Sequence, residues 1–216
     1  MLQRRPRRDL PPIPPRMQSL QIEERGYPVP WFVQWIDGKP DFRVMDRKKW
    51  IRAVRFGNCW LCGEEVGKLR TYCIGPMCAI SRTTSEPGSH QECAEFAARA
   101  CPFMTLPKAQ YRKVEFEHVP MPGMPIMRNP GCVCLWTTLE FSTFKAQLGN
   151  EGMLIHLGEP RTVEWYTEGR RATREEILTS VEGGFPLLEQ AAQAQGPASV
   201  NELHSMRAIF SRWLPA

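Results

Sequence analysis

The sequence lacks long apolar runs and an N-terminal export signal. No apolar segment in the 216 residues approaches the roughly 20 residues that a membrane-spanning helix needs. The first residues contain arginines but no apolar stretch behind them, which argues against a secretory signal peptide. We therefore expect a cytoplasmic protein in which the eight cysteines stay reduced. In such a protein, clustered cysteines bind metal more often than they form disulfides.

The sequence also lacks the motifs of common enzyme classes. It contains no glycine-rich phosphate-binding loop, no nucleophile elbow and no His-Glu-x-x-His motif. There are four histidines, and His118, His156 and His204 have no carboxylate or nucleophile at motif spacing. These absences favour a non-enzymatic binding protein. The alternative is a metal-dependent nuclease or nucleotide-modifying enzyme, with its site among His118, His156 and nearby carboxylates.

What the chain does contain is two pairs of residues suited to binding a metal. Cys59 and Cys62 belong to a Cys-x-x-Cys-Gly sequence, in which two thiolates flank a tight turn as in a zinc knuckle. His90 and Cys93 lie three residues apart, and residues 89–92 match a helix capping box. The second pair is thus expected in the first turn of a helix, where the dipole favours a thiolate. Together the four residues predict a structural Zn2+ site of the Cys3His type.

The other cysteines leave an alternative open. Cys59 and Cys62 with Cys73 and Cys78 would make a compact zinc ribbon without a ligand from the helix. We favour the helix pair because the capping box explains its placement. The three remaining cysteines are expected to be small buried hydrophobic residues: Cys101, Cys132 and Cys134. The sequence leaves open whether any of the five cysteines outside the favoured set has a metal or redox role.

The sequence predicts an α+β fold with a zinc-stapled, treble-clef-like N-terminal half and a mixed β/helical C-terminal half. Residues 1–20 are expected to form a basic, proline-rich flexible tail. Residues 21–106 would form the zinc-binding region, and residues 107–216 a mixed β region with a C-terminal helical cap.

Local signals predict the elements of the zinc-binding region. Asp37-Gly38 predicts a hairpin between residues 31–36 and 41–45. Asp46 and Gly57 are typical of the start and end of a helix over 46–56. Gly75-Pro76 predicts a turn between short strands at 68–74 and 77–81. A knuckle, a hairpin and a helix bearing two ligands resemble a treble clef.

The second half is predicted in the same way. Residues 107–130 form a proline-rich loop with a strand at 111–117, and 132–139 form a β-strand. Residues 153–157 and 162–167 form a hairpin. Thr173 and Glu176 form a capping box at the start of a helix that Gly183-Gly184 ends. Further helices are expected over 185–195 and 199–213.

Positive charge is concentrated in the first third of the chain, whose overall net charge is +5. The predicted helix 46–56 carries a cluster of cations beside a tryptophan, which suits nucleic acid or an acidic protein surface. The alternative is an ordinary amphipathic helix with its tryptophan in the core and its cations in water. The candidate partner-binding residues are Lys48, Lys49, Arg52, Arg55 and Trp50.

Parts of the sequence resemble a segment of uncharacterised bacterial and prophage open reading frames. The resemblance is carried by residues 59–63, 74–78, 87–94 and 100–103, and residues 165–176 are similar to the later part of such proteins. It implies a zinc-binding protein of phage or mobile-element type, with host takeover or inhibition of a defence system as the context. It implies no particular activity.

Overall fold

The computed structural model describes residues 5–105, 122–123 and 129–216. Within these ranges, six α-helices and three antiparallel sheets form a mixed α+β fold. The predicted strand at 111–117 and the predicted boundary between residues 106 and 107 lie outside the described residues.

The first half alternates short strands with helices. Its elements are β1 (Val33–Ile36), β2 (Lys39–Met45), α1 (Arg47–Phe56), β3 (Arg70–Ile74), α2 (Pro76–Ser81), β4 (Thr83–Thr84), α3 (Gln91–Ala100) and α4 (Pro102–Thr105). Strands β1 and β2 pair as the predicted hairpin, with Asp37 and Gly38 at positive φ in its turn. The Asp46 carboxylate accepts hydrogen bonds from two backbone N–H groups of α1, and Gly57 ends that helix at a φ of 71°. Both local predictions are confirmed.

The second half supplies most of the sheet strands and the two longest helices. Its elements are β5 (Val133–Thr138), β6 (Phe141–Lys145), β7 (Met153–Leu157), β8 (Pro160–Thr167), β9 (Arg170–Arg171), α5 (Arg174–Gln195) and α6 (Pro197–Phe210). The sheets have the strand orders β1-β2, β3-β5-β8-β9 and β4-β7-β6. Strand β3 pairs with β5, with Tyr72 opposite Trp136. The two halves of the chain therefore share a sheet.

Helices α5 and α6 pack on each other and on α2, and Phe210 at the end of α6 reaches Trp165 of the sheet. Trp136 and Trp165 of the sheet belong to the same buried cluster as Ile177 of α5 and Phe210 of α6. Trp213, just beyond α6, packs edge-on against Trp136 with ring centroids 4.6 Å apart. Its carbonyl oxygen accepts a hydrogen bond of 2.8 Å from the Trp165 indole. The C-terminal residues are thus part of the core.

The predicted strand at 77–81 is wrong, because Pro76–Ser81 form helix α2. Proline at the first helical position has a φ already suited to the helix, and the N–H that it lacks would have no helical partner there. Gly75-Pro76 therefore begins a helix in this chain. Ala79 and Ile80 of that helix are completely buried in the main core.

The predicted hairpin of residues 153–157 with 162–167 is also wrong, although both strands exist. Strand β7 pairs with β4 and β6, whereas β8 pairs with β5 and β9. The link between them crosses from one sheet to the other. The Gly158 carbonyl oxygen accepts a hydrogen bond of 3.0 Å from the Trp136 indole, which fixes the crossing. Strand β6, the true hairpin partner of β7, was not predicted.

Helix α5 does not end at Gly183-Gly184, as the sequence predicts, and continues to Gln195 through Pro186. Ile177, Val181 and Phe185 lie on one side of the helix at four-residue spacing, and all are buried. Burial of this stripe against α2 and α6 outweighs the low helix propensity of two glycines, about 1 kcal/mol each.

The capping box at the start of α5 is confirmed and gives a testable stability difference. Thr173 Oγ1 accepts from the Glu176 N–H at 3.3 Å, and Glu176 Oε2 accepts from the Thr173 N–H at 2.8 Å. We expect Thr173→Ala to lower the free energy of unfolding by about 1 kcal/mol, measured by urea denaturation. The matched control is Thr179→Ala at an exposed position inside the helix, where alanine should be neutral or slightly stabilising. Equal values for the two variants would contradict the capping role.

Candidate metal centre

Cys59 and Cys62 are held in a tight turn of the type that binds metals. The Cys62 N–H donates to Cys59 Sγ at 3.4 Å, and the Gly63 N–H donates to the Cys59 carbonyl oxygen at 2.9 Å. Gly63 has a φ of 83°, and a Cβ added there would lie 2.6 Å from the Trp31 ring. Glycine is therefore required at this position by both conformation and space.

His90 and Cys93 lie at the start of α3, but the predicted capping box is absent. His90 is the N-cap residue, and no side chain caps the helix. Ser89 instead pairs with Thr71 of β3 through two backbone hydrogen bonds of 2.9 and 2.8 Å. Its backbone is thus used to hold the start of α3 beside the sheet. The prediction that both residues lie in the first turn is therefore correct only for Cys93, because His90 precedes that turn as the N-cap residue.

The structure brings Cys59, Cys62, His90 and Cys93 together into a Cys3His cluster that could bind a metal. All four ligand atoms lie within 4.8 Å of one another. His90 Nδ1 is 3.4 Å from Cys62 Sγ and 3.9 Å from Cys93 Sγ. In a tetrahedral zinc site with bonds of about 2.3 Å to sulfur and 2.0 Å to nitrogen, a sulfur and a nitrogen lie about 3.5 Å apart. The cluster is consistent with a tetrahedral metal ion.

A backbone contact orients the histidine toward the sulfurs. His90 Nε2 lies 3.0 Å from the Glu65 carbonyl oxygen, to which it can only donate a proton. Nδ1 then carries a free lone pair on the side of the three thiols. This is the usual outer contact of a metal-binding histidine, because it selects the tautomer and fixes the ring.

The three sulfurs are buried and electrostatically coupled. Cys59 and Cys93 have no exposed surface, and Cys62 is 8% exposed. The pKa of Cys59 is lowered because the Cys62 and Cys93 thiols donate hydrogen bonds to it. The same contact raises the pKa of Cys62 to about 11. A divalent cation among the sulfurs would hold all three as thiolates.

Arg16 connects both halves of the cluster from the outside. Its Nη1 lies 2.6 Å from Glu64 Oε2, two residues after Cys62, and its Nε lies 3.1 Å from Glu92 Oε1, just before Cys93. Sequence reasoning missed this residue, because nothing local indicates partners so far along the chain. The guanidinium places a positive charge near the Cys62 sulfur.

The segment around Arg16 packs against the cluster. Met17 is 2% exposed and belongs to the same buried cluster as Cys59 and Cys93, with Leu10 and Ile13 packed against it. The Arg7 N–H also donates to the Gly26 carbonyl oxygen at 3.1 Å. This packing of residues 5–20, here called the N-terminal arm, differs from the predicted flexible tail. The arm is packed because its scattered apolar residues cover the hydrophobic cluster around Cys59 and Cys93.

Cys73 and Cys78, which belong only to the alternative set, lie outside the cluster. Cys73 Sγ donates to the Ala94 carbonyl oxygen at 3.7 Å, and burial raises the pKa of Cys78 to about 11. Cys101, Cys132 and Cys134 do not join the cluster either. All eight cysteines lie in the described ranges, and none forms a disulfide. The Cys3His set is the one group of three or more His, Cys, Asp or Glu residues in those ranges that could hold a metal.

Of the two histidines of the enzyme alternative, His118 and His156, only His156 lies among the described residues. His156 lies on β7, opposite Thr83 of β4 and Ser142 of β6. His204 Nε2 is 2.7 Å from Glu189 Oε1, a contact between α6 and α5. His118 lies outside the described residues.

Helix α1 presents only part of the predicted partner-binding set to solvent. The Trp50 indole donates to the Ser85 carbonyl oxygen at 2.7 Å, and its ring packs against the main core. Lys49 Nζ donates to the Val33 carbonyl oxygen at 3.1 Å, which ties the helix to the hairpin. These two residues hold the fold together, whereas Lys48, Arg52 and Arg55 are exposed.

The exposed face of α1 combines unpaired cations with apolar side chains. Arg47 is exposed like the three cations already named, and none of the four forms an ion pair with a described residue. Ile51 is 39% exposed and Phe56 is 69% exposed on the same helix. Sequence reasoning missed these two apolar residues, although their positions in the helical period indicate an outward direction. We call this set the α1 surface: Arg47, Lys48, Ile51, Arg52, Arg55 and Phe56.

Comparison with protein-family models, curated proteins and solved structures finds no match to the chain. The resemblance to prophage proteins therefore stays a prediction from the sequence. None of the helices in the described ranges is both long enough and apolar enough to cross a membrane.

Proposed function

We propose that the chain is a zinc-stabilised, non-enzymatic binding protein that uses the α1 surface to contact nucleic acid. The metal centre would hold the fold, and the cations of α1 would neutralise phosphates. The observation that carries the binding role is a row of exposed cations on α1 with no carboxylate partner among the described residues. Solvated surface cations are usually mixed with acidic residues, and an unpaired row suits a polyanion.

Zinc fits the donor set better than other common metals. Three thiolates and one neutral imidazole are soft and intermediate ligands, and their tetrahedral placement is typical of Zn2+. Four protein ligands leave no open position for water or substrate, which supports a structural role. The sulfurs are also almost completely buried. Zinc bound here would hold the Cys59–Cys62 turn to the start of α3.

We further infer that this unit is a variant of the treble clef. A Cys-x-x-Cys turn is followed by strand β3 and then by a helix with the remaining ligands at its start. The second hairpin strand is reduced to one bridge between Thr71 and Ser89. Helix α2 and strand β4 occupy the connection.

A salt titration tests the binding role. In the variant Lys48→Glu/Arg52→Glu/Arg55→Glu, Lys49 is retained because it bonds to the hairpin. We expect wild type to bind a fluorescent oligonucleotide at low salt and the variant to bind far more weakly. The slope of log affinity against log salt should fall by about 0.9 per lost contact on duplex DNA, or about 0.7 on single strands. Fluorescence anisotropy measures both quantities.

The control has the same charge change on other elements. Lys145→Glu/Arg161→Glu/Arg212→Glu reverses three exposed cations outside α1 and should keep most of the affinity. Both variants must retain metal and the wild-type melting temperature. If wild type does not bind at low salt, or if the α1 variant binds as well as wild type, nucleic acid is not the partner. An acidic protein surface would then be the next partner to test.

A further inference from the structure

We propose that the α1 surface selects single-stranded over duplex nucleic acid, with Phe56 stacking on an unpaired base. This inference rests on the proposed function and specifies its ligand. It differs from the sequence prediction, in which Trp50 is the aromatic residue of the partner-binding set. Trp50 packs against the core, and Trp60 is 3% exposed and stacked on Phe32 with ring centroids 4.9 Å apart. Neither ring is as accessible to a base as that of Phe56, which is 69% exposed.

The cations of α1 form one row. Lys48, Arg52 and Arg55 are spaced by four and three residues, so they share one face of the helix. At 1.5 Å per residue, the row extends about 10 Å along the helix axis. The opposite side is fixed to the fold through buried Ala53 and through the indole of Trp50. The helix therefore cannot rotate, and the cations keep their position.

Two apolar side chains flank this row. With 100° between successive residues, Ile51 lies on one side of the cations and Phe56 lies on the other. Phe56 is 69% exposed, the largest exposed fraction among the bulky apolar side chains of the described residues. It is the last residue of α1, and Gly57 turns the chain away at once. The ring is thus accessible beside the cations rather than covered by the following loop.

This combination fits an unpaired strand better than a duplex. The outside of a duplex presents phosphates and sugars, for which cations alone are sufficient. A single strand also presents the faces of its bases, and an exposed aromatic ring next to arginines can stack on them. One base–aromatic stack changes affinity roughly 5- to 150-fold. Phe56 has this geometry, whereas duplex binding would leave it unused.

The experiment compares two probes on four proteins. The probes are a fluorescein-labelled 12-nucleotide oligo-dT and a 12-base-pair duplex, each titrated at 50 mM salt. The proteins are wild type, Phe56→Ala, Phe56→Trp and the control Leu187→Ala, which removes another exposed apolar side chain on α5. We expect Phe56→Ala to weaken oligo-dT binding at least fivefold and duplex binding less than twofold. Phe56→Trp and Leu187→Ala should bind oligo-dT like wild type or more tightly.

The outcomes separate this inference from the proposed function. If wild type binds the duplex as tightly as oligo-dT, or if Phe56→Ala weakens both probes equally, strand selectivity is overturned. A salt-dependent loss of binding in the triple-glutamate variant would still support the proposed function in that case. If wild type binds neither probe, both proposals fail. A concentration-dependent dimer that Phe56→Ala abolishes, without any effect on oligo-dT affinity, would also overturn the inference and assign the ring to self-association.

Discussion

We expect Cys93→Ala to abolish the zinc binding that we propose and to unfold the region around the candidate metal centre. Cys93 Sγ is completely buried within the Cys3His cluster, and no other described cysteine lies within reach to replace it. In small zinc modules the metal contributes about 10 kcal/mol or more of folding free energy. The free energy of unfolding of a whole domain is only about 5–15 kcal/mol. Loss of the metal would therefore remove most or all of that stability. Zinc content per chain and the thermal unfolding curve measure the effect.

Cys73→Ala and Cys78→Ala are the matched controls for this prediction. Both residues lie outside the cluster, so each variant should keep one zinc per chain. Their loss of stability should stay in the range of ordinary point substitutions, about 0.5–3 kcal/mol. Full zinc content in Cys93→Ala would rule out the Cys3His assignment. Loss of zinc from either control would instead favour the alternative four-cysteine set.

Removal of residues 1–20 should also lower stability markedly, contrary to what the sequence predicts. The arm covers the metal-centre core with Met17, which is 2% exposed, and with parts of Leu10 and Ile13. Truncation of one buried methionine to alanine costs about 2–5 kcal/mol. Met17→Ala should therefore reproduce much of the effect of the deletion. Urea denaturation monitored by tryptophan fluorescence gives the free energies.

Gln18→Ala is the control for the arm. Gln18 is exposed next to Met17, so its truncation should change the free energy of unfolding by no more than about 0.5 kcal/mol. An unchanged unfolding midpoint in both Met17→Ala and the deletion variant would show that the arm does not contribute to the folded state. The flexible tail of the sequence prediction would then be correct.

The sequence predicts those parts of the structure that depend on local chemistry. Asp46 and Gly57 define α1 through a side-chain cap and a left-handed C-terminal residue. Thr173 and Glu176 define the start of α5 through a capping box. The four candidate metal ligands are predictable as two pairs, because Cys59 and Cys62 flank a tight turn and His90 and Cys93 lie at the start of a helix. Such signals need only a few neighbouring residues.

Features that depend on distant contacts could not be predicted in this way. Gly183-Gly184 remains helical because α5 is covered by α2 and α6, which no local pattern reveals. Strands β7 and β8 have the pattern of a hairpin, yet each pairs with strands elsewhere in the chain. The inward direction of Trp50 and Lys49 likewise depends on Ser85 and Val33. In each case the partner is separated from the residue by an intervening element.

The ion pairs of Arg16 have a thermodynamic consequence. Arg16 can bridge Glu64 and Glu92 only while the Cys59–Cys62 turn and α3 are held together. Docking of the arm and binding of the ion then favour the same arrangement and form a linked equilibrium. The factor by which the docked arm tightens ion binding equals the factor by which the ion tightens docking. A competing chelator would therefore also release an arginine-rich segment and expose the apolar surface beneath it.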